Sequence, residues 1–139
     1  MKVLICYNGQ FPYGAAMSSR IINFCRLFCE LGYETHVIAG HTNEKNIEEG
    51  NIYRFEAFTY EIVSLKRQTS LESFIGDKKF RTALKKYIPT NRPDLVFNAT
   101  EALYFDDLLK LCKPLNIPVY VEQCEWRDKS AYLFGNADY

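Results

Sequence analysis

Val3-Leu4-Ile5-Cys6-Tyr7, followed at once by Asn8-Gly9, is the stretch that decides the fold. A short unbroken apolar run closed by a turn pair describes a strand buried on both faces, since a half-exposed strand would alternate. A loop leads away from it, Gly9-Gln10-Phe11-Pro12-Tyr13-Gly14-Ala15-Ala16. Ile21, Phe24, Cys25, Phe28 and Leu31 then recur at three- and four-residue steps, which predicts an amphipathic helix with Gly32 as its left-handed cap. Thr35-His36-Val37-Ile38-Ala39, ended by Gly40, reads as a second buried strand. Strand, helix and strand in that order form a right-handed crossover, and therefore a parallel sheet.

The alternation continues outward from this unit. Residues 41–50 are polar and read as loop, and Ile52 to Phe58 with Ile62 to Leu65 as a third strand with an irregular extension. Leu71, Phe74, Ile75, Phe80, Leu84 and Ile88 predict one or two helices, with a break at Gly76-Asp77 and a stop at Pro89. Pro93 to Ala99 is a strand, after which Thr100 and Glu101 begin a helix with Phe105, Leu108, Leu109 and Cys112 on its apolar face. Pro114 to Pro118 turns the chain into a last strand at residues 119–122. The remainder, Cys124 to Tyr139, reads as a loop and a short helical piece. The fold class expected is α/β, a Rossmann-like parallel sheet flanked by helices. Gly135-Asn136-Ala137-Asp138-Tyr139 does not look like a finished edge of such a sheet, so the domain is expected to be incomplete at its carboxyl end.

Composition narrows the function classes. The 139 residues suit one core, and 47% apolar with 24% charged residues is an ordinary globular balance. Lys+Arg and Asp+Glu each total 17, so there is no basic surplus to draw a nucleic acid. Net charge does not report distribution, and a local patch stays open. The five cysteines fall inside predicted elements in odd number, which suits buried thiols of a cytoplasmic protein. Cys25 and Cys29 with His36 and His41 faintly suggest zinc, but the cysteines share the helix's apolar side, so no metal is expected.

In an open parallel sheet, ligands bind beyond the carboxyl ends of the strands. Gly9 to Ala16, Gly40 to Thr42, Asn98 to Glu101 and Glu122 to Trp126 all fall there. Gly9 and Gly14 have the separation of a phosphate-binding P-loop, yet Ala15-Ala16 stands where Lys and Ser/Thr must follow. The three-glycine dinucleotide pattern fails as well, and His41 follows Gly40 where an acid is needed for a ribose. What remains is a small-residue turn, Gly14-Ala15-Ala16, at a helix amino terminus whose backbone N–H groups favour an anion. Arg20 near the start of that helix opposes the helix dipole by a few tenths to ~1 kcal/mol. It either meets an anion, bends outward to solvent or pairs with a glutamate.

The run from Phe11 to Arg20, and the helix ending Glu30-Leu31-Gly32-Tyr33-Glu34-Thr35-His36-Val37-Ile38, resemble the start of family 4 glycosyltransferases. Arg92-Pro93-Asp94-Leu95-Val96, Asn116-Ile117-Pro118-Val119 and Glu125-Trp126-Arg127-Asp128 are similar to later segments of the same family, so the resemblance spans nearly the whole chain. Two departures stand out: Ala15 replaces a second glycine, and the segment after the fifth strand lacks the family's common histidine.

The resemblance implies the amino-terminal, acceptor-side domain of a GT-B enzyme, a retaining transferase that moves a sugar from a nucleotide-sugar donor. The acceptor would be a saccharide or a lipid-linked one, in bacterial surface-polysaccharide synthesis. It implies donor-phosphate contacts from Gly14, Ala15 and Arg20, and acceptor contacts from Tyr13, Asn98, Glu101, Glu122 and Trp126. Glu125 is the implied catalytic contact, and a surface carboxylate or helix cap is its plainer reading. No tightly held cofactor is implied. The nucleotide-sugar half would lie in a carboxyl-terminal domain absent from these residues, leaving this chain catalytically inert by itself. A lipid-linked acceptor would bring the protein to the inner face of the membrane, in peripheral contact that leaves no clear trace in the sequence. The alternative readings are a non-catalytic Rossmann-like binding module, a subunit of a split enzyme, or a GT-B-like epimerase.

Overall fold

The computed structural model describes residues 1–65, 69–100 and 104–122. In chain order the elements are β1 (Lys2–Gln10), α1 (Ala16–Glu30), β2 (Glu34–His41), β3 (Ile52–Phe55), β4 (Phe58–Ser64), α2 (Ser70–Asn91), β5 (Leu95–Asn98), α3 (Phe105–Cys112), a 3-10 turn at Lys113–Leu115, and β6 (Val119–Val121). The strands form one sheet in the order β3-β4-β2-β1-β5-β6. Every described pairing is parallel except β3 with β4. This is the expected Rossmann-like α/β sheet with helices on both faces.

The apolar run that opened the sequence explains the layering. Val3, Ile5 and Tyr7 of β1 point to the α1 side, where they join Ile21, Ile22 and Cys25 of the helix and Phe97 of β5. Leu4 and Cys6 point the other way, to Phe80, Leu84 and Ile88 of α2 and Leu108 and Cys112 of α3. Successive strand residues face opposite sides, so a central strand must be apolar throughout. Full burial of a side chain such as Phe11 or Leu4 stabilises by about 1.5–3 kcal/mol. Cys6, Cys25, Cys29 and Cys112 are unbridged, as their expected place inside elements requires, and Cys124 lies outside the described residues.

Five sequence expectations change. Asn8-Gly9 does not end β1, which runs on to Gln10 through a register shift between Tyr7 and Gln10. The β-prone stretch 52–65 is a hairpin of two strands, turned at Glu56 with φ 52°. Gly76 does not break α2: it is buried inside a continuous helix. Pro89 sits within the final turn of α2, which is closed instead by Arg92 in the left-handed conformation. At its other end Thr69 and Glu72 form a reciprocal capping box. The start predicted for α3 at Thr100 and Glu101 is later, at Phe105, and Glu101 lies outside the described residues.

Candidate functional site

The strand order reverses at β1. The chain leaves β1 through α1 towards β2 on one side and later enters β5 on the other. The crevice beyond the carboxyl ends of β1 and β5 is therefore the topological switch point, where ligands of open α/β sheets bind.

The loop from β1 into α1 forms one wall. Gln10 is its anchor: its Nε2 donates to the Tyr13 carbonyl at 2.7 Å, and its own carbonyl accepts from the buried Ser18 hydroxyl at 2.5 Å. Gly14 has φ +100°, and a Cβ there would collide with the Gln10 amide, so the turn requires glycine. Ala15 takes the cap position of α1 with extended backbone, no capping side chain and no acid in the first turn. The expected small-residue helix start is thus present, and its polarity is not offset by its own side chains.

Arg20 takes one of its three sequence alternatives: its Nη2 lies 2.5 Å from Glu122 Oε1. The Glu122 side chain is only 9% exposed against 52% for Arg20, and the Glu122 backbone N–H donates to the Asn98 carbonyl at 2.9 Å. Arg20, Glu122 and Asn98 are therefore brought together. Asn98 is fully buried on the α2–α3 side of the sheet, where Val96, two residues before it, packs. Its Oδ1 accepts from the Thr100 backbone N–H and hydroxyl, while its Nδ2 meets no acceptor among the described residues.

Tyr13 does not join this group. Its ring, 56% exposed, meets Phe55 edge-on at 5.7 Å, towards β3. β3 and β6 are opposite edges of the sheet, so Tyr13 and Glu122 lie to different sides of the crevice. Glu101, Glu125 and Trp126 lie outside the described residues.

The sequence reading missed a second polar cluster at the end of β1. Asn8 Nδ2 donates to Asp77 Oδ1 at 2.9 Å and to the Tyr104 hydroxyl at 2.5 Å. Arg81 lies over the Tyr104 ring, 5.3 Å from its centroid, and pairs with Asp107 at 3.1 Å. Asn8 Oδ1 is buried with no donor among the described residues, and a Cβ on Gly40 would come within 2.7 Å of it. Asn8 and Asp77 both occur in the sequence as turn or break signals, which hid their role. The usable clue was that Asn8 follows a fully buried first strand.

Away from the crevice, a groove of about 640 Å³ runs between α2 and the β3–β4 hairpin, lined by Ile52, Glu61, Val63, Ile75 and Tyr87. Burial raises the Glu61 carboxyl above its usual range, against the opposing pull of Lys86. None of the expected site residues lines it. No cluster of three or more His, Cys, Asp or Glu suited to a metal occurs among the described residues. No helix among them is long and apolar enough to cross a membrane.

No family model matches the chain, and no curated protein matches it. Among solved structures, the C-terminal domain of the PF1911 hydrogenase from Pyrococcus furiosus is similar in two crystal structures. One has 16% identity and a TM-score of 0.59, covering 88% of this chain and 90% of that one. The other has 15% identity and a TM-score of 0.57, covering 87% and 90%. At such identity the likeness is one of fold: this chain is a Rossmann-like α/β domain.

Proposed function

We propose that this chain is the acceptor-binding, amino-terminal half of a retaining glycosyltransferase that uses a nucleotide-sugar donor and a saccharide or lipid-linked acceptor. The observation that carries the reading is the chemistry of the crevice. Carboxamides, hydroxyls and carboxylates from Asn8, Asn98, Thr100, Tyr104, Asp77 and Glu122 gather at the strand ends. Sugar hydroxyls both donate and accept, so a saccharide is held by a mixture of this kind rather than by a field of one sign. The uncapped start of α1 beside Gly14 suits the donor phosphates, which a second domain would carry across the cleft. Sugar transfer itself is assigned to the two-domain parent, and this chain is inert by itself.

One observation favours the second reading, a binding module or subunit without transfer activity. Arg20 is already neutralised by Glu122 and meets a donor phosphate only by giving up that pair. Isotope-edited NMR of the chain, titrated with saccharides and with nucleotide sugars, tests both readings. Shifts at Asn8, Asn98 and Tyr104 with saccharides, and no turnover when donor and acceptor are mixed, are the expected result. Nucleotide-sugar shifts with no saccharide response would select the binding module, and turnover by the chain alone would refute the half-enzyme.

A further inference from the structure

The register of the β3–β4 hairpin decides what lies beneath the groove beside α2. Ile52 pairs with Glu61 across the two strands, so both point to the same face. Val63, two residues further on, shares that face and packs into the core on the α2 side. Helix α2 does not cover all three. Phe80, Leu84 and Ile88 of its buried stripe pack with Leu4, Cys6 and Ile38, which holds the helix over the middle of the sheet. The groove of about 640 Å³ is the space left between helix and hairpin, a size usual for a small-molecule site.

Two charged groups of the groove are unmatched, and they differ in sign. Glu61 is half-buried beside Ile52, Val63 and Tyr87. Among the described residues no donor hydrogen-bonds to it, and Lys86 acts on it only through space. A carboxylate taken from water without a donor is costly, and burial accordingly raises its pKa. At the rim, Lys79 is engaged by Glu49 at 2.5 Å and Lys86 is turned to Glu61. That leaves Lys78, exposed and without a carboxylate partner among the described residues. It precedes Lys86 by about 12 Å along the helix, a span that its own side chain shortens. The three lysines around the groove disfavour a cation. The complement is therefore an apolar body with one hydrogen-bond donor for the floor and one anionic group for the rim.

We infer that this groove is a second ligand site, for a small organic acid. Its apolar ring body would lie against Ile52, Val63 and Tyr87, an N–H or O–H group would donate to Glu61, and a single carboxylate would pair with Lys78. The inference does not depend on sugar transfer, because no residue of the crevice lines the groove.

Isotope-edited NMR of the full chain with indole-3-butyrate as the probe tests it. The probe joins an aromatic body to one N–H and one carboxylate. Saturable shifts should appear at Val63, Ala83 and Tyr87. The methyl ester, which lacks the charge, and the N-methyl analogue, which lacks the donor, should each bind about fivefold or more weakly. Lys78→Gln should bring the acid down to the affinity of the ester and leave the ester unchanged. Glu61→Leu should remove the difference between the N–H and N-methyl probes. Lys78 is exposed, so its variant keeps the fold whatever Glu61→Leu does, and circular dichroism checks both. Absence of groove shifts at millimolar probe overturns the inference. Equal affinity for acid, ester and N-methyl analogue overturns it too, because the groove would then accept any apolar body. Saccharide titration reads Asn8, Asn98 and Tyr104 instead, so either result stands without the other.

Discussion

Arg20 and Glu122 tie helix α1 to the residue that leaves β6, with 2.5 Å between Nη2 and Oε1. The pair sits at the helix end where an incoming anion would be received, and the carboxylate holds the cation that would receive it. Glu122→Gln should release Arg20 and raise the affinity for inorganic phosphate. With its cation half-exposed, the pair is worth up to about 1 kcal/mol, which corresponds to about fivefold. Arg20→Ala should remove the response altogether. Phosphate titration followed by NMR at the amides of residues 14–18 checks both, and an unchanged affinity in Glu122→Gln would separate the pair from anion binding.

Gly40 is held to glycine by its neighbour strand. A Cβ there would approach the Asn8 backbone carbon and Oδ1 at 2.7 Å each, in the middle of a packed sheet. Gly40→Ala should therefore displace Asn8 and lower stability by about 1–3 kcal/mol. Urea denaturation measures the loss, and loss of the Asn8 contacts should also blunt any saccharide response at Tyr104.

His36 makes the fold sensitive to acid. Burial lowers its pKa from 6.5 to about 4, where its ring stacks on Tyr87 at 4.8 Å and its Nδ1 meets the Thr59 hydroxyl at 2.8 Å. A histidine depressed in the folded state stays neutral there while the unfolded chain takes up a proton. Stability is thus greatest above pH 6.5, falls as pH drops towards 4, and loses no more from this group below that. The full excursion is on the order of 3 kcal/mol. Glu61, whose pKa is raised by burial, protonates in the folded state first and works in the opposite direction. His36→Gln should flatten the His36 component, and the difference between the two proteins' urea midpoints across this range isolates it.

The capping box is a test of local structure. Thr69 Oγ1 accepts from the Glu72 N–H at 3.2 Å, and Glu72 Oε2 accepts from the Thr69 N–H at 3.1 Å. Thr69→Ala should cost about 1 kcal/mol, and Thr69→Ser should restore most of it. Thermal unfolding of the three proteins distinguishes a cap from a passive loop residue.

Legibility in the sequence followed the range of the interactions. Val3 to Tyr7, the α1 periodicity and the Gly32 cap are local patterns, and each appears where the residues predicted it, except that Leu31 falls just past the helix and is exposed. Gly14, Ala15 and Arg20 were found by the same reasoning, as was their place at the strand ends. The partner of Arg20 was not, because Glu122 reaches it only after the chain has crossed to β6. Asn8 and Asp77 are joined across 69 positions and carry common turn identities, so neither announces the other. Leu71, Phe74 and Ile75 merged with Phe80, Leu84 and Ile88 into one helical pattern. Only the direction of the helix's buried stripe separates the two sets.

The amino ends of the strands are stitched at the opposite pole from the crevice. Lys2 N–H donates to Asp94, Asp94 N–H returns to the Lys2 carbonyl, and Glu34 N–H donates to the Met1 carbonyl. Met1 itself is 68% exposed. A tag, surface linker or fluorophore joined at Met1 therefore emerges from the far side of the sheet, so a protein immobilised there would present its crevice outward to the medium.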